Sequence, residues 1–417
     1  MLDSIWERKV LDLIREEELV SLTQELVKIP SVYDPSDEDA NEEKIATFLY
    51  QRLVEMGFEV YMEEVAPKRP NVVGLLRGSF PGKTVLLEGH TDVVTPGDFS
   101  QWTYHPFGGE IVNGKIYGRG ACDTKGNLAA AIIAAKAIKD SGIEFPGKIV
   151  LCIPVDEEGM MIGIKEFIRR GWADDIDGAI ICEPVDNQIC LDIKGAIRAL
   201  LRIKGKMAHG CMPYAGVNPN IGMAKAILKL RDLELEEKQR LGCHRYLGYP
   251  SITPTVVMSP SHGKGQLNVI PEDSLIAYDI RTVPGQDEKG LIDKMKSSLD
   301  NIKFELEDFK YQLDVIEERP CVSTPKDDPL VKAVHRAYVK VRNREPVYNG
   351  VPGATDGTFL RAWKNIPVVV IGAGDREVPH QVDEYVRIDE LLDTARIYAL
   401  SILNFLRGDK DEDYRKI

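Results

Sequence analysis

The chain has 417 residues, 43% of them hydrophobic and 29% charged. That length suggests about two or three domains, and the composition excludes collagen-like, disordered and coiled-coil proteins. Its 53 Lys and Arg stand against 66 Asp and Glu, a net charge of −13, so nucleic acid and anionic membranes are poor partners. Seven cysteines without a CxxC pair argue against a disulfide framework and for a reducing compartment.

The first 30 residues read as helix, with Leu11, Leu13, Ile14, Leu19, Leu22 and Leu26 at helical spacings. Charges interrupt this segment every few residues, so it holds no signal-peptide core. The longest apolar runs, Leu128–Ala135 and Ile366–Ala373, fall far short of the roughly 20 residues of a membrane span, and the expected location is the cytoplasm. Residues 42–56 form a second amphipathic helix ending before Gly57. Short β-rich runs follow at Phe58–Met62, Asn71–Leu76 and Thr84–Leu87, the last leading into Glu88-Gly89-His90. The Ala-rich stretch after Gly126 predicts a buried helix stopped at Gly142. Lys148–Pro154 is a strand-length apolar run followed by Asp156-Glu157-Glu158, and residues 162–170 are helical. Gly178–Cys182 and Ile366–Ile371 are further short apolar strands, followed by Glu183 and by GAGDREVPH.

Strands alternating with helices predict an α/β catalytic domain whose mostly parallel sheet is flanked by helices. The middle of the chain reads differently. Ala196–Ile203, Thr253–Met258, Leu275–Thr282 and Leu313–Glu317 are β-like, with helices at Asn218–Leu230 and Glu288–Leu299 between them. That order predicts a smaller α+β sandwich over 195–318, interrupting a discontinuous catalytic domain made of 1–194 and 319–417.

Five side chains suited to metal ligation stand just beyond strand ends, the edge of an α/β sheet where ligands bind. They are His90 in HTD, Asp123 in GRGACDTKG, Glu158 in DEEG, Glu183 in CEP and His380 in VPHQ. Imidazole and carboxylate suit Zn²⁺ or Mn²⁺, and no Cys cluster competes. Singly, each has an ordinary reading: a hydrogen-bonded structural His, or a solvated acidic turn. Gly118-Arg119-Gly120 fits neither the dinucleotide fingerprint nor the phosphate-loop spacing, since Lys125 precedes Gly126.

Taken in order, GHTDVV, PFGGEIVNGKIYGRGACDTKG, IPVDEEG, CEP, GKMAHGCMP, NVIP, DIRTVPG, GATDGTF and GAGDREVPHQVDE span nearly the whole chain. With these motifs the chain resembles the acetylornithine deacetylase and succinyl-diaminopimelate desuccinylase family of dinuclear zinc hydrolases, whose relatives include aminoacylases, glutamate carboxypeptidases and dipeptidases. The resemblance implies two divalent ions per subunit, zinc first, with cobalt or manganese as substitutes. His90, Asp123 and Glu183 then hold one ion, and Asp123, Glu158 and His380 the other, with Asp123 bridging. Asp92 accepts the imidazole N–H of His90 through its carboxylate. Glu157 is the general base, which requires a carboxyl that is not itself a ligand. The peptide bond between Asp123 and Thr124 is cis.

The resemblance also makes the insertion a lid and dimerisation domain of a homodimer, whose His209 holds the developing oxyanion. Here His209 is followed by Gly210-Cys211-Met212-Pro213, which keeps the family's His-to-Pro spacing and changes the local order. Asn268 and Arg281 match positions that contact a substrate carboxylate, and Thr355 a loop on the substrate side. Arg281 has an internal salt bridge as its alternative, and Thr355 a helix cap. The implied activity is hydrolysis of the amide of an N-acyl amino acid, with a carboxypeptidase or dipeptidase of the same family as the alternative. A non-catalytic binding module on this scaffold predicts a broken ligand set, and every member is present.

Overall fold

The structure, a computed structural model, describes residues 5–408. It contains two compact units: Met1–Leu191 with Ser323–Asn349 and Thr355–Ile417, and Asp192–Val322 with Gly350–Ala354.

The first unit is built on a mixed sheet. Its strands lie side by side in the order Glu59–Ala66, Arg69–Arg77, Pro146–Ile153, Phe80–Glu88, Gly178–Ile181, Val368–Val370 and Ile189–Ile193. The centre is parallel, as the alternation of strands and helices implies: Val85 lies opposite both Ile149 and Gly178, and Val369 opposite Ile180. Pairing turns antiparallel on either side, at Val73 with Cys152 and at Val370 with Cys190. Helices cover both faces of a parallel sheet, so its strands read as unbroken apolar runs; Val85–Leu87, Ile149–Ile153 and Val368–Val370 are all buried.

The helix Gly126–Asp140 is apolar nearly all round, which marks a helix enclosed by its neighbours. It packs against Glu16–Val27 and Ile388–Arg407, and its alanines let the backbones approach. The N-terminal segment is two helices, Ile5–Leu11 and Glu16–Val27, with a turn between them. The first four residues of the helix expected there lie outside the described residues. The parallel strands end at Glu88, Ile153, Ile181 and Val370, so the segments bearing His90, Glu157, Glu183 and His380 leave from one edge of the sheet.

The second unit is a four-stranded antiparallel sheet in the order Ser251–Met258, Asp273–Thr282, Gly195–Lys204 and Lys310–Arg319. Alternation sends Ile276, Tyr278 and Ile280, opposite Leu201, Ala199 and Ile197, to one face. The helices Pro219–Leu241 and Glu288–Asp300 close over that face to form its core. The first of these runs eleven residues past Leu230, where the apolar spacing gives out. Its continuation keeps Leu233, Glu234 and Glu237 buried, with Arg231 and Lys238 on Glu234, and stops at Gly242.

The unit is also wider than 195–318. Lys194 donates from its backbone to the Val351 carbonyl at 3.0 Å, and the Cys321 N–H donates to Glu288 at 2.9 Å. Those bonds draw in both flanks and the distant segment Gly350–Ala354, a tertiary association with no trace in local sequence pattern.

Candidate active site

Asp123 follows a turn that only glycine can make. Gly120 has φ +86°, and a Cβ there would lie 2.7 Å from Val93 Cγ1. The Asp123–Thr124 peptide is cis, as the resemblance implies. Asp123 presents one carboxylate oxygen to each of two imidazoles. His90 Nε2 lies 3.2 Å from Oδ1, and His380 Nε2 lies 3.4 Å from Oδ2. Glu183 Oε1 completes the first group at 3.7 Å from His90 Nε2, and Glu158 Oε1 the second at 2.8 Å from His380 Nε2. One ligand atom each from His90, Asp123 and Glu158 falls within 4.8 Å of the others. The five residues read from sequence are therefore brought together around Asp123, with His90 on one of its oxygens and His380 on the other.

Asp92 does something other than what the sequence suggests. The His90 Nδ1–H donates to the main-chain carbonyl of Asp92 at 2.9 Å, while the carboxylate Oδ1 stands at 3.6 Å. A carbonyl can only accept, so Nδ1 carries a hydrogen, and Nε2, facing Asp123 and Glu183, is the nitrogen left to hold a cation once any proton on it is displaced. The Asp92 carboxylate instead accepts the backbone N–H groups of Glu157 at 3.1 Å and Glu158 at 3.0 Å. It thus holds the turn bearing both glutamates. From the other side Asp156, at φ +67°, receives Arg69, which is also bonded to the buried Glu42.

The electrostatics follow from crowding acids into a dry site. Burial pushes the carboxyls of Glu157, Glu183 and Glu158 above the ordinary range; Asp356 adds to the effect at Glu157, and Asp123 at Glu183 and Glu158. Burial acts the same way on Asp123, but hydrogen bonds from His380 and His90 outweigh it and hold that carboxyl far below its usual value. Hydrogen bonds to Asp123 and Glu158 raise His380 to about 10. Burial disfavours the charged form of His90, yet Asp123, Asp92 and Glu183 raise it well above the usual value.

Two imidazoles and three carboxylates, with no thiolate, form the donor set of a borderline divalent cation. The buried Glu183 Oε1 has no hydrogen-bond donor, which leaves an acceptor open toward His90. These residues fit a pair of divalent cations.

Thr355 is buried with its hydroxyl unpartnered and does not cap the following helix Gly357–Lys364. Its neighbour Asp356 is fully buried and raises the proton affinity of Glu157. The remaining predicted residues belong to the second unit. There His209 lies opposite Val269 in a two-stranded ribbon, and its Nδ1 accepts the Cys211 N–H at 3.2 Å. Nε2 is therefore the donor of the neutral ring, so the altered residue order after His209 still fixes its tautomer. Asn268 is exposed, and its carbonyl accepts the Gly210 N–H at 2.7 Å. Arg281 is forked onto Asp279 at 2.6 and 3.1 Å, the internal salt bridge foreseen as its alternative. Sequence reasoning missed Arg119 and Glu384, a buried pair beside Asp123. The only signals were Arg119 between two glycines and the acid closing HQVDE.

The fold and the site define a metal-dependent hydrolase of amide bonds, an amidohydrolase or peptidase. The chain belongs to the peptidase family M20/M25/M40, whose profile matches residues 86–404. It is 29% identical over 401 residues to a succinyl-diaminopimelate desuccinylase of Methylocella silvestris, covering 92% of this chain and 97% of that one. It is 27% identical over 412 residues to a Staphylococcus epidermidis protein named "Probable succinyl-diaminopimelate desuccinylase", covering 93% of this chain and 98% of the relative. Among solved structures, an M20 family metallo-carboxypeptidase from Sulfolobus solfataricus superposes with a TM-score of 0.76 at 22% identity, over 94% of this chain and all of the other. At that identity the likeness speaks for the fold alone.

Proposed function

We propose that the protein hydrolyses the amide bond of an N-acyl amino acid, of the N-succinyl-diaminopimelate or N-acetylornithine kind, with two zinc ions held by His90, Asp123 and Glu183 and by Asp123, Glu158 and His380. The observation that carries this reading is the Asp123 carboxylate, whose two oxygens face two separate imidazoles at 3.2 and 3.4 Å. The desuccinylase names of the relatives support the acyl class.

When bound, a pair of such cations supplies Lewis acidity to the amide carbonyl and brings the pKa of water toward about 7. Glu157 precedes Glu158 on the turn held by Asp92 and is free of the ligand role in this reading. Its carboxylate takes the proton of the attacking water and returns it to the departing amine nitrogen. Burial raises its proton affinity, which suits a group that must both accept and release a proton near neutral pH. The His209 Nε2–H donates to the carbonyl oxygen as charge develops there. Thr355 offers a buried hydroxyl to the substrate. Arg281 binds a substrate carboxylate by exchanging it for Asp279, and Asn268 contributes its side-chain amide.

In this reading the second unit, Asp192–Val322 with Gly350–Ala354, is a lid and dimerisation domain of a cytoplasmic homodimer. Two features support self-association. The strand Ser251–Met258 is an edge strand exposing Val256, Val257 and Met258, and the helix Pro219–Leu241 exposes Ile221, Leu228 and Leu235 seven residues apart on one stripe. A panel of N-succinyl, N-acetyl and dipeptide substrates, assayed with zinc, cobalt and manganese, tests the substrate class. Turnover of dipeptides alone assigns the chain to the peptidases, and turnover of none overturns the reading.

A further inference from the structure

Asp123 and His380 come from distant parts of the chain, yet one buried carboxylate addresses both segments. Glu384 Oε1 accepts three backbone N–H groups of the Asp123 loop: Gly120 at 3.0 Å, Cys122 at 3.0 Å and Asp123 itself at 3.1 Å. Its second oxygen is paired with the Arg119 guanidinium. Arg119 in turn donates to the main-chain carbonyl of His380 at 3.2 Å and to that of Thr95 at 3.4 Å. The Gly118 N–H donates to the Glu384 carbonyl at 2.8 Å, so the two segments are also stitched through their backbones. Both side chains are withdrawn from water, Arg119 at 2% and Glu384 at 0% exposure. The Arg119 guanidinium lies 5.3 Å from the centre of the Trp102 ring, a wall of the enclosure.

A buried ion pair is by itself a poor stabiliser, because desolvation offsets its attraction. Its value lies in what its geometry fixes. Three N–H groups converging on one oxygen tolerate little displacement of the Asp123 loop, and a planar fork reaching from Glu384 to the His380 carbonyl sets the distance between the two segments. The His90 side of the site is held by other means, through the Asp92 carbonyl.

We propose that Glu384 and Arg119 are positioning residues that set Asp123 against His380, so that they govern the cation site of Asp123, Glu158 and His380 more than that of His90, Asp123 and Glu183, which shares only Asp123 with it. The inference rests on the reading of these five residues as ligands.

Zinc titrated calorimetrically into the metal-stripped full-length protein tests it. The two binding events are assigned with Glu183→Ala and His380→Ala. In Glu384→Gln the amide oxygen still accepts from the loop, but the NH₂ cannot accept from Arg119. Arg119→Lys keeps the charge and loses the fork. Each variant is expected to weaken the His380-side event by about ten- to a hundredfold, the range typical of residues that orient ligands, and to leave the other within about threefold. Glu384→Ala is expected to weaken the His380-side event further than Glu384→Gln. Thermal melting of the stripped variants establishes that they are folded. Affinities equal to the parent's at both sites, equal weakening of both, or a loss confined to the His90 side overturn the proposal. A parent chain that takes up no zinc overturns the metal-centre reading and this inference with it.

Discussion

Asp92→Asn is a sharp perturbation of the site because it changes one atom of a buried group while preserving its volume. The Asp92 carboxylate, 4% exposed, accepts the Glu157 N–H at 3.1 Å and the Glu158 N–H at 3.0 Å. Hydrogen bonds to a charged acceptor contribute roughly 1.5–3 kcal/mol each. Asparagine keeps one oxygen for one of these groups and turns an NH₂ toward the other, so one such bond is lost. At about 1.4 kcal/mol per factor of ten, that is about a tenfold to hundredfold effect. The released turn carries both the proposed ligand Glu158 and the proposed base Glu157, so the loss is expected to divide between zinc affinity and kcat. The His90–carbonyl bond does not involve the carboxylate and survives. Steady-state kinetics at saturating zinc, together with zinc titration of the stripped variant, read the two parts. A variant within threefold of the parent in both kcat and zinc affinity refutes the placement of Asp92 as the support of that turn.

Glu157→Gln keeps the zinc stoichiometry of the parent and lowers kcat by about 10²- to 10⁴-fold; a fully active variant with normal zinc removes Glu157 as the base. His209→Ala lowers kcat by about 10²- to 10³-fold with little change in KM; a change in KM alone makes it a binding residue. The metal-free protein should lose thermal stability as pH rises from 6.5 toward 10. His380, raised from 6.5 to about 10, contributes stability that is fully present below its unfolded pKa and is lost as pH passes through its folded one. On the proposed reading zinc bound at His380 would displace that proton, so the loaded protein should lack this decline and zinc uptake at neutral pH should release protons. Equal melting temperatures of the stripped protein at pH 6.5 and 9.5 contradict the assignment. Leu228→Glu with Val257→Asp places charges on the exposed helix stripe and edge strand, and light scattering should find a monomer; an undisturbed dimer moves the interface elsewhere.

The centre of the fold was legible because its strands are buried on both faces and read as unbroken apolar runs, and because the Ala-rich helix Gly126–Asp140 is apolar nearly all round. Four of the five ligand candidates were legible because they lie beyond the ends of the central parallel strands; Asp123 instead follows the Gly120 turn and leads into the helix Gly126–Asp140. Harder to read was which atom of a residue acts. Asp92 lies two residues from His90, and only the turn geometry makes its carbonyl, at 2.9 Å, a closer partner than its carboxylate. The internal salt bridge of Arg281 was open in the sequence as an alternative, and its partner Asp279 could have been named, since residues two apart on a strand share a face. Glu384 and Arg119 could not. Their meaning arises only when the chain closes the His380 segment onto the Gly120 turn, and no local period records that closure.

The central claim is tested most directly by measuring amide hydrolysis of N-succinyl and N-acetyl amino acids and dipeptides while zinc is added stepwise to the stripped protein. The account predicts that hydrolysis of at least one N-acyl amino acid rises with zinc until two ions are bound per chain and falls to background on chelation. Two ions bound per chain with no hydrolysis of any substrate in the panel would contradict it.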